Sequence, residues 1–498
     1  MIQGTSSDAG KSFIVTALCR IFANEGLKVA PFKSQNMSNN SYVTKDGNEI
    51  GRAQGIQAEA AKTDAAVWMN PILLKPRSNQ ESEVVYLGKA IETLSGREYR
   101  DSFYTRGIEV IKQSLKHLEK EYDFIVIEGA GSPVEINLKE RELVNMRVAE
   151  LADVPVVLVA DIDRGGVFAS IIGTLELLEP KERERVVGIV VNKFRGDLSL
   201  FEDGINWLEE RTGIPVLGVV PFIDHHMVDG EDSLSISEQF TKRSTGAIDL
   251  AVIHLPFISN YTDLEPFLFE EDVRVRWVKK ADEFGEPDAV IIPGTKSTIW
   301  DLKKLREMGL DKCILQHVKG GGYTAGICGG YQILGKEIID EAGSDTGVPN
   351  SKVPGLGVIP ARTIFHKEKE TIRVTAHCHP NTGLEIEEAL EGYEIHLGRT
   401  ILMESAHPFL VTEAGREEGY FGEGGRIIGT YFHHLFHNDA WRNQWLNHIR
   451  RRKGIPEREI NKINDYKDRS FDELAVKLKD HLNWNLVKAI LGHWGSQI

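Results

Sequence analysis

The sequence predicts an α/β protein built from two parallel-sheet domains, and three observations carry that expectation. Short apolar runs of strand length alternate with helical periodicity from the first residues onward. A polar stretch near 229–249, ending in GEDSLSISEQFTKRSTGAID, separates one such series from another. The 498 residues also exceed the ~150 of one domain, and a composition of 41% hydrophobic and 27% charged residues is that of a chain that packs.

In chain order, Ile14, Leu18, Ile21 and Phe22 make one face of a helix that Gly26 can end. Strands are expected at 27–32, 124–127, 154–160, 186–191 and 216–220, all short and apolar, as strands covered on both faces are. Beyond the polar stretch a second series follows at 250–255, 273–278, 289–292 and 323–327, then a β-rich region over 353–433. Residues 449–498 hold 11 Lys or Arg against 7 Asp or Glu, and the stripe Phe471, Leu474, Leu478, Leu482 marks a helix packed on the body rather than a nucleic-acid arm. The expected division is a first domain over 1–235, a linker over 236–249, a second domain over 250–445 and a helical tail over 446–498.

The charge balance, 59 Lys and Arg against 74 Asp and Glu for a net −15, argues against a nucleic-acid or anionic-membrane partner and favours small ligands. Four cysteines, Cys19, Cys313, Cys328 and Cys378, form no CxxC pair and no disulfide framework, so a reducing compartment is expected. The start, MIQGTSSDAGKS, lacks a basic residue followed by an apolar run, and the apolar runs fall short of the ~20 residues of a membrane helix. A soluble, cytoplasmic protein is the expectation.

The segment 4–12, GTSSDAGKS, lies between a short apolar run and the helix bearing Ile14, where a phosphate-binding loop belongs. Gly4, Thr5, Gly10, Lys11 and Ser12 are its nucleotide-binding candidates, with Lys11 toward the β- and γ-phosphates and the Ser12 hydroxyl on Mg²⁺. The common spacing requires Gly at position 5, where Thr5 stands, so Gly4 is one residue early. Glu128 ends a strand and precedes Gly129-Ala130-Gly131, which places a carboxylate beside the phosphates as a second Mg²⁺ ligand. Asn192 ends another strand, and its amide suits the edge of a purine base.

In AGICGGYQ at 325–332 a strand ends at Cys328 and a helix begins at once. Such a turn needs small neighbours and projects the thiol at a helix N-terminus, which favours a nucleophile over a buried structural cysteine. His433, in GTYFHHLF at 429–436, is the candidate base, with His434 beside it. The amides of Gly294 and Gly329 are candidates for an oxyanion hole. His377-Cys378-His379 lacks the usual two-plus-two spacing of a zinc site.

With these motifs in view, the chain resembles the cobyric acid synthase family of glutamine-hydrolysing amidotransferases over nearly its whole length. The resemblance rests on APFKSQNM at 30–37, VTKDGNEIGRAQ at 43–54, MNPILLKP at 69–76, DIDRGGVF at 161–168, NKFRGD at 192–197 and IPGTKST at 292–298. It implies a P-loop, dethiobiotin-synthetase-like parallel-sheet domain, in which the extra loop residue is normal, followed by a class I glutamine amidotransferase α/β domain. The nucleophile then falls on Cys328 and the base on His433. Class I relatives usually carry a Glu two residues after that His to orient it; here Leu435 stands there, as in the cobyric branch, and the orienting group is unassigned. His434 occupies a place where Gly is common in the family.

The implied reaction uses ATP, Mg²⁺ and glutamine to amidate the b, d, e and g carboxylates of adenosylcobyrinic acid a,c-diamide, giving adenosylcobyric acid in cobalamin biosynthesis. Lys33, Asp46 and Arg164 are candidate corrinoid contacts, Asp46 also a candidate metal ligand. The nearest alternative is cobyrinic acid a,c-diamide synthase, which shares loop and glutaminase, though QNM at 35–37 and GRAQ at 51–54 favour the later enzyme. A regulatory ATPase of the partition type is a more distant one, against which Cys328 counts.

Overall fold

The computed structural model describes residues 1–38, 40–76, 81–223, 246–403 and 406–495. Its contacts divide the chain into one unit of Met1–Ser235 with Asn464–Ile498, and a second of Ile236–Ile463. Most of the expected linker, 236–249, lies outside the described residues, but its last two, Ile248 and Asp249, already open strand Ile248–Ile253 of the second unit.

In the first unit six parallel strands follow the order Val29–Phe32, Phe124–Ile127, Ile2–Gly4, Val156–Asp161, Val186–Phe194, Val216–Pro221, the second and third joined only by the bridge from Ile2 to Glu128. Side chains alternate between the two faces, as the pleat requires. Val159, Val190 and Val220 pack under helix Lys11–Asn24, while Leu158, Val191 and Val219 face helices Val167–Leu177 and Glu202–Thr212. All six carboxyl ends share one edge, and the turn after Gly4 and the segment after Glu128 both lie there.

Parts of the family-like segments at 30–37 and 69–76 fold into a smaller sheet, and part of 43–54 into a hairpin, that the apolar pattern did not announce. Gln35–Met37 runs parallel to Ile72–Pro76, which continues through Glu81–Tyr86 and Lys89–Ser95, and Ser41–Val43 pairs with Glu49–Gly51 in a separate hairpin. Ile72, Leu74 and Val84 of the smaller sheet cluster with Tyr99, Phe103 and Val110, and polar groups are buried beside them: Lys75 lies against Glu49 and Ser41.

The expected tail, 446–498, is divided. Helix Asp439–Lys453 stays with the second unit, whereas the segment from Asn464 packs on the first. Phe471, Leu474 and Leu478 enter the core beneath helix Lys11–Asn24. Buried Arg20 of helix Lys11–Asn24 donates to the tail residues Asp472 at 2.8 Å and Asp468 at 3.0 Å, and the tail's Lys479 and Lys467 meet Glu25 and Glu59, so charges of both signs tie the tail to its own unit.

The second unit is a six-stranded sheet in the order Val273–Val278, Ile248–Ile253, Ala289–Ile292, Tyr323–Ile327, Ile427–Thr430, Tyr420–Gly422, parallel except for the last strand. Between the fourth and fifth positions the chain makes a β-rich arm, dominated by the long pair Ala361–Cys378 and Leu390–Leu402. Among the described residues no helix is long and apolar enough to cross a membrane.

Because helix Ile463–Asp480 is part of the first unit's core, Leu478→Ala should destabilise that unit by about 2–5 kcal/mol, the cost of truncating a fully buried leucine. Val476→Ala, at a position 59% exposed on the same helix, should shift the denaturant midpoint little.

Candidate active site

The first candidate site begins where strand Ile2–Gly4 turns into helix Lys11–Asn24. Gly10 closes the turn at φ 99°, and a Cβ there would meet the Asn192 amide nitrogen at 2.0 Å, so only glycine fits. Thr5 donates its N–H to the Val159 carbonyl at 2.9 Å and ties the loop to the neighbouring strand. Lys11 is buried and lies across the loop, its Nζ donating to the carbonyls of Ser6 at 3.1 Å and Gly131 at 3.3 Å.

Glu128 concentrates the charge. Its Oε1 accepts from Ser12 Oγ at 2.8 Å and from Lys33 Nζ at 2.8 Å, and its Oε2 accepts from Gln57 Nε2. All four groups are buried, and Lys33 supplies the counter-charge that a carboxylate out of water requires. Gln57 Oε1 in turn accepts from Gln54, whose Oε1 accepts from Asn36 at 3.1 Å, so two of the family-like segments converge beside Glu128. Ser12 and Glu128 offer the hard oxygen donors that suit Mg²⁺.

Other expected members of this site stand differently. Asp46 occupies the exposed turn between Ser41–Val43 and Glu49–Gly51 and makes no bond to Ser12 or Glu128 among the described residues. Asn192 Nδ2 donates to the Ala9 carbonyl at 3.0 Å, so in this state the amide braces the loop instead of facing outward. Arg164 reaches Asp8 at 3.2 Å and is largely exposed at the loop's rim.

The second candidate site lies at the same edge of the other sheet. Cys328, between strand Tyr323–Ile327 and helix Gly329–Leu334, has φ 51° and ψ −110°, a conformation costly for a residue with a side chain. Its neighbours must be small: a Cβ on Gly330 would meet the Ile292 carbonyl oxygen at 1.9 Å, and one on Gly326 the Gly330 carbonyl oxygen at 2.7 Å. The thiol points at the Ile395 carbonyl, 3.6 Å away.

His433 is fully buried, and its Nδ1 is 2.7 Å from Asp263 Oδ2. The other Asp263 oxygen accepts the His434 N–H at 2.7 Å, which fixes the carboxylate on both sides. Asn260 Nδ2 lies 3.5 Å from His433 Nε2, and Tyr393 stacks on the imidazole with ring centroids 5.0 Å apart. Burial disfavours the imidazolium, but the Asp263 carboxylate and the contact with Cys328 outweigh it and push His433 up to about 10. The group that orients the imidazole is thus Asp263, 170 residues away in the 3-10 segment Tyr261–Phe269. Nothing in its local sequence marks it; an acid in a short segment such as YTDLEPFLF is too common a signal.

The two adjacent histidines separate for a reason other than strand alternation. The strand ends at Thr430, and His434 adopts φ 66° at the start of the 3-10 segment Leu435–His437. This left-handed turn, a conformation glycine takes without strain, sends the His434 ring toward His437, at 4.2 Å between centroids. Gly294 and Gly329 flank the thiol: a Cβ on Gly294 would lie 3.6 Å from Cys328 Cβ and 3.4 Å from His433 Cε1. Neither glycine N–H is engaged among the described backbone bonds. Among the described residues Glu370, Glu394 and His396, not His377-Cys378-His379, bring three potential ligand atoms within 4.8 Å of one another, and Arg416 already pairs with Glu394.

Residues 1–230 match the CobQ/CobB/MinD/ParA nucleotide binding domain, and residues 249–441 the CobB/CobQ-like glutamine amidotransferase domain. Proteins named cobyric acid synthase are similar from end to end. That of Geobacillus kaustophilus (strain HTA426) is 50% identical over 100% of this chain and 98% of its own. That of Geobacillus thermodenitrificans (strain NG80-2) is 52% identical over 97% and 96%, and that of Desulforamulus reducens 47% over 99% and 98%. With a nucleotide-binding unit and a glutamine amidotransferase unit on one chain, and this degree of identity over its full length, the protein belongs to the cobyric acid synthase family.

Proposed function

We propose that the protein transfers ammonia from glutamine to the b, d, e and g carboxylates of adenosylcobyrinic acid a,c-diamide, with hydrolysis of ATP, to give adenosylcobyric acid. The observation that carries this reading is the pairing, in one chain of this family, of a cysteine elbow facing an Asp-braced imidazole with a phosphate loop facing a buried carboxylate.

In the glutaminase reaction the Cys328 proton rests on His433, held there by the Asp263 carboxylate, and Sγ attacks the glutamine carboxamide carbon as the thiolate. Asp263 at Nδ1 leaves Nε2 toward the thiol and stabilises the positive ring. The N–H groups of Gly294 and Gly329 receive the developing oxyanion. Collapse of that intermediate breaks the C–N bond, His433 returns the proton to the leaving nitrogen, and water then hydrolyses the thioester to glutamate.

In the synthetase reaction a corrinoid carboxylate oxygen attacks the γ-phosphorus of ATP and ADP leaves. The resulting acyl phosphate is needed because a carboxylate anion is a poor electrophile. Lys11 steadies the charge on the transferred phosphoryl group. Ser12 and Glu128 would hold Mg²⁺, which when bound offsets phosphate charge. Ammonia attacks the acyl carbon, phosphate leaves, and an amide remains. Lys33 and Arg164 are the cations assigned to substrate carboxylates.

With MgATP, glutamine and the corrinoid diamide, product mass should record four successive replacements of OH by NH₂. Preference for cobyrinic acid, stopping after two amides, would instead identify the diamide-forming reaction. Cys328→Ser should lose glutamine-dependent synthesis and keep ammonia-dependent synthesis; failure with both donors in a folded, ATP-binding variant contradicts the division of labour. Lys11→Ala should lose synthesis with either donor, whereas ordinary ammonia-dependent turnover would remove the loop from the mechanism. Asp263→Asn should lower glutaminase kcat by about 10²-fold or more, the scale of a disabled general base. Its His433 ring should also release its proton below the value of about 10 set by the carboxylate, which imidazole NMR titration reads directly.

A further inference from the structure

Glu418 is a buried carboxylate for which the glutaminase steps above have no use. It lies on the two-residue strand Glu417–Glu418, paired with Leu410–Thr412 of the β-rich arm, yet its side chain reaches the end of the main-sheet strand Ile427–Thr430. Oε2 accepts from Thr430 Oγ1 at 2.6 Å and Oε1 from the Tyr431 N–H at 2.6 Å. Thr430 Oγ1 itself accepts the Phe432 N–H at 2.9 Å, so its single proton is directed to Glu418.

These residues hold both halves of the candidate catalytic pair. The Thr430 carbonyl accepts the Cys328 N–H at 2.8 Å, at the residue whose φ is 51°. Three residues beyond Thr430 stands His433, whose own N–H donates to the Tyr393 carbonyl at 2.8 Å. The Tyr431 hydroxyl bonds Thr400 Oγ1 at 2.7 Å and accepts from Gln332 Nε2 at 3.1 Å, on the helix that Cys328 opens. A strained backbone persists only where its surroundings over-determine it, and here a carboxylate fixes the strand end against which the strained residue is bonded. Burial and the nearby Glu394 carboxylate push Glu418 up to about 8, against the pull of its Thr430 and Tyr431 bonds and of Arg416. An apolar residue in its place would leave the Thr430 O–H and Tyr431 N–H unpaired in the core.

We propose that Glu418 is a positioning residue of the glutaminase reaction, which through Thr430 and Tyr431 sets the Cys328 elbow and the approach of His433 to it. The proposal rests on the reading of Cys328 as nucleophile and His433 as base.

In Glu418→Gln one oxygen still accepts the Tyr431 N–H, while an NH₂ now confronts the Thr430 hydroxyl. Glutaminase kcat should fall about 10-fold or more, as small displacements of reacting groups do, with KM for glutamine nearly unchanged. Thr430→Val, which removes the link from its other side, should reproduce the kcat loss, and Thr430→Ser should restore most of it. The double variant Glu418→Gln/Thr430→Val should be little worse than either single one, because both cut the same bond. Parent kcat in Glu418→Gln, additive losses in the double variant, or equal damage by Thr430→Ser and Thr430→Val would each overturn the proposal. Cys328→Ser in the same assay separates the two readings: if it retains glutaminase activity the nucleophile is misassigned, and if it is inactive while Glu418→Gln keeps parent kcat, only the role of Glu418 falls.

Discussion

A parallel strand that feeds a helix covering its own sheet has to turn sharply at the carboxyl edge, and in both units the turn passes through a residue with positive φ. In the first it is Gly10 at 99°; in the second it is Cys328 at 51°. Glycine takes that conformation without strain, and a cysteine does so only where neighbours hold it. The same geometric demand therefore yields two different devices. One is a loop that Lys11 crosses, bonded to the Ser6 and Gly131 carbonyls, and the other sets the Cys328 thiol toward the Ile395 carbonyl at the start of a helix.

Each turn is matched by a carboxylate buried on both oxygens. Glu128 is satisfied by Ser12, Lys33 and Gln57, and Asp263 by His433 and the His434 N–H. Removing a partner from such a group leaves a charge out of water at a cost of several kcal/mol, which makes these contacts rigid and directional. Rigidity has a chemical consequence at His433. With Nδ1 tied to Asp263 and the ring stacked on Tyr393, the imidazole has little freedom, and Nε2 is the nitrogen left for the thiol.

The positive charge near the C-terminus has a structural role. Lys467, Lys479 and Lys488 form ion pairs within the first unit, and Arg450 and Lys453 pair with Asp272 and Asp288 within the second. Leu478 and Phe471 complete the apolar layer under helix Lys11–Asn24, so residues from the far end of the chain finish the core that supports its first loop.

Strands such as Val273–Val278, Ala289–Ile292 and Tyr323–Ile327 were legible from their apolar runs, and both turns from glycine, Lys11 and Cys328, because such signals are local. The small sheet around Gln35–Met37 and Ile72–Pro76 was not, since its apolar runs are short and its buried side chains mix Ile72, Leu74 and Val84 with polar Asn36, Lys75 and Glu83, which blurs any apolar period. Nor was the bracing of the loop by Asn192, or the divergence of His433 from His434 through a left-handed residue instead of strand alternation. The orienting partner of the imidazole lay furthest from view. Residue type and spacing by themselves determined the two turns, the helix stripes and the candidate nucleophile; only the tertiary structure decided which acid meets His433, because Asp263 and His433 are brought together by the packing of segments 170 residues apart, a distance over which no local pattern constrains a pairing.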